Sequence, residues 1–121
     1  MYYNEPISDE IKNEVYLYLQ HIKEFENFDA KIMASSYVLR SYAEKSKYIF
    51  SIDYEYDSKM AAVDGIIKVE EDGHTFQYTS SLDRTVKADS FRFEDDKVIR
   101  KSYNLSDKTT EEKGFDKKLF F

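Results

Sequence analysis

The chain has no cysteine and no tryptophan, and only one proline, three glycines and two histidines in 121 residues. Without cysteine there can be no disulfide framework, no thiolate-bound zinc or iron–sulfur cluster, and no thiol nucleophile. The glycines, Gly65, Gly73 and Gly114, stand alone. No phosphate-cradling loop, dinucleotide fingerprint or Gly-x-Ser-x-Gly elbow can be built from them. Apolar runs are short, as at Ile66-Ile67 and Leu119-Phe120-Phe121, far below the roughly 20 residues a membrane helix needs. The start, Met1 to Pro6, shows no basic stretch followed by an apolar core, so a leader is not expected and a cytoplasmic location is.

What the chain does have is aromatic residues and acids. There are 11 Tyr and 9 Phe, and 24 Asp+Glu stand against 18 Lys+Arg for a net charge of −6. The length suits one domain, residues 1–121, able to bury roughly two thirds of its unfolded surface without covalent staples. An acidic balance disfavours direct, phosphate-driven nucleic-acid binding.

Hydrophobic periodicity predicts a helix over about 8–26. Ser8 is placed to cap it, Asp9 and Glu10 sit where the helix dipole favours negative charge, and Ile11, Val15, Tyr18, Leu19, Ile22 and Phe25 form one apolar stripe. Glu10, Glu14, His21 and Glu24 would share a polar flank. Residues 30–45 carry no clear period; a short helix near 30–35 leading into a strand is the reading adopted. From Lys47 the period becomes two: Tyr48, Phe50, Ile52, Tyr54 and Tyr56 alternate with polar positions. Further strands are expected at about 62–71, 74–82, 86–94 and 97–105, with Asp72-Gly73 as a two-residue hairpin. Residues 106–121 read as a tail, polar to about 114, with room for a last strand at the end. The fold class is α+β: an N-terminal helix packed on a curved antiparallel meander of about five to six strands. Helix-then-meander order resembles the NTF2-like and cystatin-like cones, which implies a second reading: a helix–sheet cavity that binds a small molecule, with or without catalysis.

No cofactor, metal site or catalytic set is expected. His21, with Glu14 and Glu24 on one flank, lacks a second helix to complete a metal centre, and His74 is expected at an exposed hairpin tip. Lys97, Arg100 and Lys101 form a basic spot, offset by nearby acids. The most informative segment is 53–72, where seven acids face only Lys59 and Lys68. Asp53, Glu55 and Asp57 would project from one strand face about 7 Å apart, a spacing close to that of phosphates along a nucleic-acid strand. Tyr54 and Tyr56 would serve as interface anchors, and Glu70, Glu71 and Asp72 as an acidic flank. This pattern points to a non-enzymatic inhibitor that binds a protein with a basic, nucleic-acid-handling surface. A phage anti-defence protein such as an anti-CRISPR, blocking a CRISPR effector, or an immunity protein against a nuclease toxin would look like this.

Overall fold

The computed structural model describes residues 7–26, 31–32, 38–41 and 46–121. Among these, helix α1 (Asp9–Leu19) and the single-turn helix α2 (Lys23–Glu26) precede eight strands. These are β1 (Lys31–Ile32), β2 (Val38–Ser41), β3 (Lys47–Tyr56), β4 (Lys59–Glu70), β5 (Gly73–Ser80), β6 (Val86–Phe93), β7 (Lys97–Asn104) and β8 (Thr109–Asp116). A 3-10 turn, Lys117–Leu119, follows. Strands β3 to β8 form a six-stranded antiparallel meander, each pairing with its neighbours in sequence, and the short β1 and β2 pair with the free side of β3. Among the described residues the sheet does not close on itself, and β8 pairs with β7 alone. The α+β meander expected from the period-two alternation is therefore present.

The expected stripe on the helix is what docks it. Val15, Tyr18, Leu19, Ile22 and Phe25 are all buried, and Ser8 caps α1 by accepting from Ile11 N–H at 3.3 Å. The helix is not continuous to residue 26, however. It breaks at His21-Ile22, between α1 and α2, because buried groups on the sheet bind the backbone there: Asp89 Oδ2 accepts from Lys23 N–H at 2.7 Å and Arg100 Nη1 donates to His21 C=O at 2.9 Å. Each supplies the partner that a helix end lacks.

Three other expectations are corrected. Lys31–Ile32 is strand rather than part of a short helix; positions 30 and 33–35 lie outside the described residues, whereas the strand expected after them contains β2. The polar part of the tail is a turn only to residue 108, since 109–116 form β8. As an edge strand with its side chains mostly exposed, β8 has no alternating apolar residues to announce it. The β4–β5 loop is Glu71-Asp72, with no positive φ, and Gly73 already belongs to β5.

Cross-strand register arranges the inward face in rows. One row reads Ile67, Phe76, Asp89, Ser102, Glu111, and the next Val69, His74, Phe91, Arg100, Lys113. The face thus grades from apolar and aromatic on β3–β5 to polar and charged on β6–β8. At the aromatic end Tyr18 stacks on Phe120 at 4.5 Å and meets the edges of His74 and Phe91. Gly65 lies opposite Phe50 and Tyr78, where an added Cβ would stand 2.1 Å from Gln77 C=O, so only glycine lets the strands approach there.

Candidate binding surfaces

Asp53 and Glu55 project from the outward face of β3, the face opposite α1, since Ile52 and Tyr54, which alternate with them, are buried beneath the helix. Tyr54 is thus no surface anchor. It is fully buried, bonded through its hydroxyl to Glu24 and Ser80, and its pKa is raised by burial and by the Glu24 charge. The alternation that makes the strand also turns every second residue into the core. Tyr56 pairs with Lys59 at the strand end; its side chain lies outside the described residues. Asp57 does not continue the row. With Ser58 it forms the β3–β4 turn, the two having φ of 52° and 61°, the conformation a tight two-residue hairpin requires.

The acidic run also divides in space. Strand β4 carries Glu70, Glu71 and Asp72 about 36 Å from the Asp57 end. There they meet acids distant in sequence, because Phe93 N–H donates to Asp72 C=O and brings the turn at Glu94, Asp95 and Asp96 alongside. Lys68–Glu70 and Arg92–Glu94 ion pairs offset part of this charge. At the other end, Asp53 and Glu55 gain Asp64 on the outward face of β4, held by Ser51 Oγ at 2.6 Å. Met60, opposite Glu55, is 61% exposed, and the outward Val86 and Leu105 are adjacent through Leu105 N–H to Val86 C=O. Acids and exposed apolar groups therefore occur together on the outward face at this end. The parity of Met60, out of phase with Ala61, Val63 and Ile67, could have revealed it.

Neither histidine is where the sequence suggested. His74 is 2% exposed, with Nε2 3.1 Å from Glu14 Oε1, and burial drives its pKa down against the pull of that carboxylate. His21 is half-buried, its Nδ1 2.7 Å from Leu17 C=O and its ring against Phe115 and Phe120. Arg100, expected in a basic spot, is 1% exposed and bonds to Glu26. Lys113 binds the same carboxylate, and these two donors hold the Glu26 pKa down despite partial burial. Among the described residues no group of three His, Cys, Asp or Glu could hold a metal ion.

The polar end of the inward face opens into a cleft of about 320 Å³ between α2 and β5–β8. Asp89, 1% exposed, lies at its floor, accepting from Lys23 N–H and from Tyr78 Oη at 3.0 Å. Burial raises its pKa against both bonds. Ser102 Oγ, buried on the next strand, is near enough to temper that rise but makes no hydrogen bond of standard geometry. Lys87 bridges Glu24 and Asp83 at 2.6 Å each. Burial opposes its charge, but the two carboxylates outweigh burial and hold the ammonium above its usual pKa. Asp83 is held below its usual value, its burial outweighed by bonds from Lys87 and Thr85. Sequence reasoning offered a helix–sheet cavity as its second reading but named none of these polar residues as its lining. Its signal was charged residues at the inward parity of β6 and β7: Lys87 and Asp89 in phase with Phe91, and Arg100 and Ser102 in phase with Val98.

No family model matches the chain, and no curated protein or solved structure matches it. Among the described residues no helix is long and apolar enough to cross a membrane.

Proposed function

We propose that this protein acts by binding, as an inhibitor that occupies the basic, nucleic-acid-handling surface of another protein. The supporting observation is the pairing, on one outward sheet face, of Asp53, Glu55 and Asp64 with the exposed Met60. Carboxylates about 7 Å apart along a strand offer a basic groove the charge spacing of a phosphate backbone. Exposed apolar side chains beside them supply contact area that a partner can desolvate. Charge steering would make association fast and salt-sensitive. An anti-CRISPR or a nuclease immunity protein works in this setting.

The test is parallel affinity capture from candidate hosts with the wild-type chain and the D53K/E55K/D64K variant, then assays on the purified captured protein. A basic partner should be captured, lose nucleic-acid binding when this chain is added, and bind the variant about a hundredfold more weakly. A partner that holds nucleic acid and this chain together, or is indifferent to the three reversals, would overturn the reading.

The cleft beneath α2 favours a second reading, ligand binding between helix and sheet. It uses the opposite face and stands or falls separately.

A further inference from the structure

Three features of the cleft bear on what it could hold. It is a cavity of about 320 Å³, at the small end of the range for ligand pockets. Its floor contains a buried hydroxyl, Ser102 Oγ, that is 4% exposed as a residue and makes no hydrogen bond of standard geometry. Buried polar atoms are nearly always paired, so such an atom lining a cavity marks a place for a ligand group.

Charge supplies the chemical class. Five carboxylates line the cleft (Glu24, Asp83, Asp89, Asp107 and Glu111) against two ammonium groups. Both lysines are committed: Lys87 to Glu24 and Asp83, Lys23 to Glu111. Asp107 Oδ1 accepts from Thr109, while Asp107 Oδ2 and Glu111 Oε1 make no hydrogen bond among the described residues. The unmet demand is for donors with positive charge. A bare metal ion does not fit, because no three of the described carboxylates converge. A cation whose charge is spread over several N–H groups does.

We propose that the cleft between α2 and β5–β8 is a binding site for a small organic cation, an amine or guanidinium, with Asp107 and Glu111 at the rim taking the cationic head and Ser102 Oγ meeting a polar group within. This rests on the ligand-binding reading of the cleft and is independent of the outward face.

The test is a ¹H–¹⁵N NMR titration of the full chain with agmatine and with spermidine, against glucose as a neutral polyol and sodium chloride at matched ionic strength. Saturable shifts should centre on the amides of Tyr78, Asp89, Ser102 and residues 107–111. The D107N/E111Q variant keeps the turn at Asp107 and an acceptor for Lys23, so it should fold while binding either cation roughly fivefold more weakly. Saturable glucose binding with no cation binding would leave the ligand reading standing and overturn the cationic assignment. No saturable shift from any of the three overturns both. Cation shifts that sodium chloride reproduces, or that spread evenly over exposed carboxylates, overturn the cationic site.

Discussion

At the scale of single residues, Asp89 links the sheet to the helical layer. Its two oxygens bind Lys23 N–H at the start of α2 and the Tyr78 hydroxyl across the β5–β6 pair. A buried acceptor with two donors is costly to delete, because each donor is left without water or partner. Asp89→Ala should therefore cost about 2–4 kcal/mol, the sum of a lost cap and a stranded hydroxyl. Asp89→Asn retains a carbonyl oxygen for one donor and should cost about half as much. Urea unfolding of the two variants decides: equal losses, or a loss under about 1 kcal/mol for the alanine, would remove Asp89 from this role. The carboxyl also has a pH signature. Its folded pKa is raised, so the native state binds the proton more tightly, and this residue's contribution to stability grows as pH falls through that folded value towards 3.8.

At the scale of elements, the C-terminal turn tests how α1 is held. The Phe120 ring stacks on Tyr18 and is 8% exposed, whereas Phe121 is 65% exposed, meets the edge of Phe93 and lies under the Lys117 ammonium. Phe120→Ala should cost about 2–4 kcal/mol and Phe121→Ala under about 0.5 in thermal or urea unfolding; comparable losses would show that the turn does not dock as described. The elements differ in how plainly the sequence announced them. β3 to β7 were legible because Phe50, Ile52 and Tyr54, or Phe76 and Tyr78, recur at every second position over a buried face. β8 was not, since Thr109 to Gly114 is exposed throughout and is placed by pairing with β7 and by the Lys23–Glu111 and Lys113–Glu26 bridges to α2. The break in the helix was invisible for a related reason: its cause, Asp89 and Arg100, lies far along the chain. The acidic stretch shows the converse error. Residues close in sequence were read as one patch, but a long antiparallel strand carried Glu70, Glu71 and Asp72 to the far end and replaced them with Asp64 and Met60.

For the molecule as a whole, the net charge of −6 is unevenly used. Arg100 and Lys87 are drawn inward to bind Glu26, Glu24 and Asp83, and Asp53, Glu55 and Asp64 share the outward face with Met60, with Lys31 of β1 opposite Glu55. His74 sits between these regimes, under α1, and makes global stability depend on pH near neutrality. Its folded pKa lies below the ordinary 6.5, because burial opposes the imidazolium more than Glu14 favours it. The unfolded chain thus takes up the proton first as pH falls. His74's contribution is fully present above the unfolded value, and is lost as pH drops through 6.5 towards the folded pKa, with a slope of at most about 1.4 kcal/mol per pH unit. The lowered carboxylates, Glu26 and Asp83, act in the same direction but only as pH falls through their still lower values. Between pH 7.5 and 5.5, on the order of the histidine range, the wild type should therefore lose urea stability progressively. His74→Phe places an uncharged ring among Tyr18, Phe91 and Phe93 and leaves the partly exposed Glu14 to water. Its stability should be nearly flat over the same interval. A variant that keeps the wild-type slope would place the proton uptake on some other group, and the buried His74–Glu14 contact would then have no part in the acid sensitivity of the fold.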